Sequence, residues 1–512
     1  MKFRKIVTGI SVTAVAALAL AGCAPGGSGD SSGASTDQIL TIGALGDITD
    51  WDPAQAHVGH ALQPYQAPYD TLILREPDGK LSPMLATKWS YDDSLTKLTV
   101  DLRDDVTFSD GAKFDADAVV ANFTHFQKEN GRQAAQLVNL DKAVATDEDT
   151  VEITLKQADP AFTYFLSQAA GLMGSPKALD GDGIGADPVG TGPYVMDKKA
   201  SVAGSQYVFT KRKGYWNPDL QKFGGVTFKI LIDVTARTNA LVSGQVNATL
   251  LDARSAAQAE GAGFTLTKSQ VDWGGLLLLD RDGKLLPELG DVRVRQAINY
   301  ALDRKALVKS LQVGYGTPTA QAFGPASGAY DKSLDNAYPY DPAKAKKLLA
   351  EAGYADGFTL TVPGVASFET IFAAVGQQLS EVGITLKADP VPDQEIVNKI
   401  AGGSYPAAYF QLFQGEAWVA INQIISTNAL YNSLDSTTPE LQKLIDEVQA
   451  APSAKEGDAA AKKINELVVD QAWFAPLYRL DQLYFTDKTV TVVAQTQMAI
   501  PSIYNYAPAG AK

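Results

Sequence analysis

Strand and helix signals alternate along the whole of this 512-residue chain without a short repeat, which predicts a mixed α/β fold. A hydrophobic content of 45% supplies a well-buried core at that length. Leu98, Val100 and Leu102 alternate with Thr99, Asp101 and Arg103, and period-two alternation puts one face of a strand in the core. Val106 and Phe108 continue as strand, Ser109-Asp110-Gly111 is turn chemistry, and Asp115 caps a helix that carries Val119, Phe123 and Phe126 on one face. Val151, Ile153 and Leu155 repeat the strand pattern, as do Val226, Phe228, Ile230 and Ile232. Val294, Ala297, Ile298, Ala301 and Leu302 follow helical spacing, and Leu441, Leu444, Ile445 and Val448 form a second apolar stripe. Asp341-Pro342 and Thr438-Pro439 each place a capping side chain before a proline at the first helical position, while Gly353 and Gly383 stand where helices stop.

The amino terminus reads as an address. Lys2, Arg4 and Lys5 precede the apolar stretch Ile6 to Leu20, which is too short for a membrane span of about 20 apolar residues and ends in Leu20-Ala21-Gly22-Cys23. That motif resembles the bacterial lipobox, so Cys23, the chain's single cysteine, is expected to carry lipid after cleavage of residues 1–22. The Gly- and Ser-rich residues 23–37 read as a flexible tether. Loss of Lys2, Arg4 and Lys5 takes the formal charge from −14 to about −17, which argues against nucleic acid as a partner.

Catalytic chemistry finds few residues to use. The chain has three histidines, no Gly-x-Ser-x-Gly elbow, no phosphate-binding P-loop, and a cysteine reserved for lipid. Gly181 to Ala186 fits Gly-x-Gly-x-x-Ala but runs into Asp187-Pro188 rather than a helix, so it reads as a loop. Asp180 and Asp182 resemble the start of a calcium loop, yet Thr191 stands where the bidentate glutamate belongs. No enzyme, cofactor or metal site is predicted. A surface hydrolase working through an acid pair remains the remote alternative, since no local motif singles out two of the 58 acidic residues.

Several motifs in one order resemble the extracytoplasmic solute-binding proteins, family 5, of peptide and nickel ABC importers. They are Asp52-Pro53, Leu81-Ser82-Pro83-Met84-Leu85-Ala86-Thr87-Lys88-Trp89, and Leu102-Arg103 through Val106-Thr107-Phe108-Ser109-Asp110-Gly111 to Asp117-Ala118-Val119. Further on come Gly190-Thr191-Gly192-Pro193-Tyr194, Tyr215-Trp216, Val292 through Arg304, and Tyr340 through Leu349. The resemblance implies a periplasmic-binding-protein-like fold of type II, cluster C-like: two large lobes joined by a hinge, plus a smaller accessory lobe. Lobe I would comprise residues 38–55, 186–271 and 482–512, the accessory lobe 56–185, and lobe II 272–481, with crossings near Trp273 and Leu480. It implies a monomer that closes on a peptide ligand and delivers it to a membrane permease and its ATPase, held by lipid at the outer face of the cell membrane. A receptor for a metal chelate, an opine or a sugar is the alternative within the same class.

The resemblance also nominates ligand contacts. It sets His57 along the cleft wall, three residues before His60; with Gly59 between them and no third ligand nearby, solvated loop histidines are the competing reading. Trp273 and Gly274 precede an apolar run, where glycine admits a ligand's backbone and the indole walls it off, or where a core tryptophan simply fills a buried strand. Peptide-binding relatives carry an aspartate-rich stretch that pairs with the peptide's amino group, but this chain has no aspartate between Asp393 and Asp435. Gly415, Glu416 and Trp418 occupy that segment. Glu416 is the expected substitute for the missing carboxylate, because a desolvated ammonium requires opposite charge or equivalent acceptors.

Overall fold

Leu276 to Leu279 has no polar side because both faces of its strand are covered: Leu276 and Leu278 join one core cluster, Leu277 and Leu279 another. In the computed structural model, which describes residues 37–510 apart from Asp182 and Asn428, this strand is second from one edge of the largest sheet, between Ala407–Phe413 and Phe474–Thr486. Cys23 and the expected signal and tether segments up to residue 36 lie outside the described residues, and no described helix is long and apolar enough to cross a membrane.

The sheet runs in the order Ala407–Phe413, Thr265–Leu278, Phe474–Thr486, Ala248–Leu251, Ile39–Ala44, Gly225–Ile230, Gln206–Lys211 and Tyr194–Met196, with Thr317–Pro318 also pairing to Phe474–Thr486. Ile39–Ala44 pairs in parallel with both neighbours; the remaining pairs in this sheet are antiparallel. Thr265–Leu278 and Phe474–Thr486 are its longest strands, and their register slips twice. Gln270 pairs with Asp481 and Trp273 with Arg479, leaving Val271 and Asp272 opposite Leu480; Gly274 pairs with Tyr478 and Gly275 with Pro476, leaving Leu477 extra. Such bulges bend and twist a strand pair, and Pro476, which has no N–H to offer a ladder, sits at the second.

A four-stranded antiparallel sheet, Ala86–Tyr91, Lys97–Leu102, Thr150–Leu155 and Leu140–Ala145 in that order, packs under the helix Ala116–Glu129. Asp115 caps that helix by accepting from Ala118 N at 3.0 Å, and Gly111 makes the preceding turn at φ +87°. Val119, Phe123 and Phe126 are buried as expected, in the same cluster as Leu40, Ile42 and Phe228 of the large sheet, so the smaller sheet shares a continuous core with it. Thr438 and Asp341 cap the helices Pro439–Gln449 and Pro342–Glu351, and Gly353 and Gly383 take the left-handed conformation at φ +93° and +92°. The strand from Val226 ends at Ile230, two residues earlier than its alternation suggests. Ile232 is 69% exposed, because Arg237 gathers the Leu231 and Ile232 carbonyls and Asp233 already caps the next helix.

The Tyr215-Trp216 pair is structural. Asp70 is wholly buried and accepts from Tyr215 Oη at 2.8 Å, Trp216 Nε1 at 2.9 Å and Tyr504 Oη at 2.9 Å, tying three distant segments together. Burial pushes its pKa from 3.8 to about 6 against the pull of these donors. A carboxyl raised on folding adds stability that is full below the unfolded value and lost as pH rises through about 6. Asp70→Ala strands three buried donors and is expected to cost about 2–4 kcal/mol in urea denaturation at pH 7; a loss under about 1 kcal/mol would mean that the donors find other acceptors. Gly190 and Gly192 lie against Pro68 and Tyr69, where a Cβ would fall 2.2 Å and 2.4 Å from the nearest atoms, so these glycines serve close packing.

Candidate ligand-binding site

A cleft of about 1090 Å³ opens between the smaller sheet and its following loop on one side and the helical layer around Glu416 and Asp458 on the other, with Gln497 at its edge. That volume accommodates a ligand of small-peptide size. Trp89 and Tyr91 come from the first strand of the smaller sheet, and Asp159 and Tyr164 from the loop and short helix after its Thr150–Leu155 strand.

Three carboxylates face this space. Asp159, 5% exposed, is fixed by Asn139 Nδ2 at 2.9 Å and Ala161 N at 3.0 Å. Burial raises its pKa, while those two donors and the Trp418 indole pull it back. Glu416 caps the helix Ala417–Ile424 by accepting from Val419 N at 2.8 Å. Its side chain keeps an open surface although protein crowds around it, as expected deep in a cleft. Burial pushes its pKa from 4.5 to about 7; the Val419 and Trp418 N–H groups oppose the rise, and the charges of Asp159 and Asp458 reinforce it. Asp458, on the helix Ala454–Asp470, is raised by burial and eased by Lys462 and Lys455. Among the described residues none of the three carboxylates is in an ion pair. The buried Tyr91 hydroxyl, on the same wall, has no hydrogen-bond partner among them either.

Of the residues nominated from sequence, Glu416 lies on the cleft and the others flank it or lie elsewhere. Gly415 lets Phe413 and Gln497 close in, since a Cβ there would sit 2.3 Å from Phe413 Cζ and 2.7 Å from Gln497 Cγ. Trp418 is 5% exposed and packs into the core with Ile421 and Ile424. Trp273 is wholly buried, 5.6 Å from the Phe474 ring, and its indole N–H lacks a partner among the described residues. Gly274 leaves room for Tyr409 Oη, 2.7 Å from where its Cβ would be. His57 is exposed with Nδ1 2.7 Å from the Val58 carbonyl, and His60 lies 3.3 Å from Gln482 Oε1. Gly59 at φ +72° keeps the two histidines off a helix, and the described residues hold no cluster of three or more His, Cys, Asp or Glu able to bind a metal. The sequence reading missed Asp159, Asp458, Trp89 and Tyr91, which no local spacing connects to Glu416. It also missed Asp272 in the bulge between the long strands, half-buried, its backbone paired with Phe413 but its carboxylate without a hydrogen-bond partner among the described residues and pushed by burial to a pKa of about 6.

Comparison with known proteins agrees with this architecture. Residues 80–426 match the model of the bacterial extracellular solute-binding proteins, family 5. The chain is 30% identical over 472 residues to the glutathione-binding protein GsiB of Escherichia coli, covering 86% of this chain and 87% of that one. It is 34% identical over 363 residues to GsiB of Salmonella paratyphi A, covering 69% of each. HbpA2 from Haemophilus parasuis superposes with a TM-score of 0.80 at 19% identity, covering 92% of this chain and all of that one. DppA from Helicobacter pylori, in complex with the peptide STSA, does so at 0.75 and 20% identity, covering 92% and 98%. NikA from Brucella suis, in complex with Fe(III)-EDTA, gives 0.79 at 20% identity, covering 92% and 100%. The chain belongs to the family 5 bacterial extracellular solute-binding proteins, receptors of ABC importers rather than enzymes.

Proposed function

We propose that this receptor captures short peptides, or peptide-like solutes, bearing a free ammonium group, and that the ammonium docks on Glu416. The observation that carries the reading is the carboxylate of Glu416 in the cleft, held by backbone N–H groups and flanked by Asp159 and Asp458 without a paired cation among the described residues. A charge-assisted hydrogen bond to an ammonium relieves that repulsion, which water does less well in a crowded site. The glutathione named for the GsiB relatives and the peptide bound to DppA belong to the same chemical class.

Closure is assigned to the two long strands, with the hinge at the bulge where Val271 and Asp272 face Leu480. Lobe I then comprises 38–55, 186–271 and 482–512, the accessory lobe 56–185, and lobe II 272–481. Gln449 Nε2, which reaches the Ala158 carbonyl at 3.2 Å, is a contact suited to holding the closed form. Lipid at Cys23 and a loose tether would keep the receptor beside its permease at the outer face of the cell membrane.

A thermal-shift comparison of di- to pentapeptides with their N-acetylated forms tests the reading. A free-amine peptide at 100 times its dissociation constant adds about 2.7 kcal/mol of stability, and its acetylated twin at the same concentration adds little. Equal shifts for the two forms, or shifts from metal chelates or sugars alone, would overturn it.

A further inference from the structure

We infer that the cleft selects solutes carrying two positive charges close together, such as short peptides with lysine or arginine at the first or second position, over solutes rich in carboxylate such as glutathione. The inference rests on the reading that the ammonium docks on Glu416, and it concerns what the rest of the wall then requires.

Charges on the cleft are unevenly divided by depth. Asp159 is buried and Glu416 and Asp458 are half-buried, whereas both lysines on the wall, Lys80 and Lys455, are exposed, as are the remaining acids Asp92 and Asp93. The inner wall thus holds three carboxylates and no cation; the margin holds both signs in equal number. One ammonium neutralises one inner carboxylate and leaves two outside any ion pair among the described residues, Asp458 eased at a distance by Lys455 and Lys462 and Asp159 by no cation. Charges at the margin are screened by solvent, while those inside are screened much less, so the inner imbalance governs selection.

Packing holds Asp458 in this arrangement. Gly328 lies so close that a Cβ on it would sit 1.7 Å from Asp458 Oδ1, leaving the carboxylate little freedom to retreat from the cleft wall that both residues line. Tyr91 and Trp89 line the same wall and add aromatic surface suited to an alkylammonium or guanidinium. A second carboxylate on the ligand would find only Lys80 and Lys455, both at the exposed margin.

The test is calorimetric titration of the folded receptor with Lys-Gly-Gly, Gly-Gly-Gly and glutathione at pH 7.5 and moderate salt. Lys-Gly-Gly is expected to bind at least about tenfold more tightly than Gly-Gly-Gly, and glutathione more weakly than either. In Asp458→Asn the ratio of Lys-Gly-Gly to Gly-Gly-Gly affinity should fall to about threefold or less, which reads charge selection rather than overall binding. Should that variant fold poorly, the ratio for the unaltered receptor still decides. Glutathione binding more tightly than Lys-Gly-Gly, or equal affinity for the two glycine-based peptides, overturns this inference while leaving the amine-docking reading intact. Failure of all three to bind overturns both.

Discussion

Glu416→Gln should weaken capture of a free-amine peptide at pH 8 by at least about 30-fold, the effect of removing one member of a desolvated, hydrogen-bonded charge pair at roughly 2 kcal/mol or more. The amide retains the shape and one acceptor for Val419 N, so the helix cap should survive and the melting temperature of the ligand-free receptor should hold. The same carboxylate makes binding pH-dependent. Burial pushes ligand-free Glu416 to about 7 and a bound ammonium lowers that value, so affinity is greatest between the pKa of this carboxyl and that of the peptide α-amino group, which loses its own proton at about pH 8. It then falls by up to about tenfold per unit as pH drops below 7. For the ligand-free receptor the sign is reversed. A carboxyl raised on folding stabilises below its unfolded pKa and loses that contribution as pH rises through about 7. Calorimetry in buffers of different ionisation heat should show proton release approaching one per ligand at pH 6. Affinity that stays flat from pH 5.5 to 8 would rule Glu416 out as the ammonium partner.

Arg304→Met should produce the largest stability loss predicted for a single side chain here. Arg304 is 6% exposed and has no carboxylate partner. Its guanidinium donates to the carbonyls of Thr319 at 2.9 Å, Pro476 at 2.7 Å, Asn299 at 3.1 Å and Tyr338 at 3.0 Å, and to Asn299 Oδ1 at 2.7 Å. Burial lowers its pKa to about 10, which still leaves it charged at neutral pH. Methionine fills much of the volume but offers no donor, so five buried acceptors lose their partner at once. A loss of about 3–5 kcal/mol is expected in equilibrium unfolding, with peptide affinity at a temperature where the variant stays folded changed by less than about threefold. Arg304→Lys should recover little, because one ammonium cannot span acceptors spread around a planar fork. A loss under about 1 kcal/mol would show that the carbonyls are satisfied otherwise.

Arg304 also shows what was legible in the sequence. The run from Val292 to Arg304 was recognisable as a motif, and its Val294, Ala297 and Ile298 stripe gave the helix face, because burial of a helix follows a local period. The same holds for Asp115, Thr438 and Asp341, whose caps reach only three residues along the chain. Glu416 was legible as the carboxylate of a segment that holds no aspartate, and the structure puts it on the cleft. Trp273 shows the opposite case: an aromatic before an apolar run reads equally well as a ligand wall or a core side chain. Only the cover over its face, with Phe474 at 5.6 Å, makes it core.

By itself, then, the sequence determined the α/β class, the helix and strand faces, the scaffold motifs of the family and one carboxylate of the candidate site. The tertiary structure alone decided that Asp159 and Asp458, from segments some 300 residues apart, stand beside Glu416 in one cleft, and that the lysines there remain at its margin. Local periodicity is written in neighbouring residues because each strand or helix buries its own face. The charge of a cleft is a sum over segments that meet only after folding, and no spacing along the chain carries it.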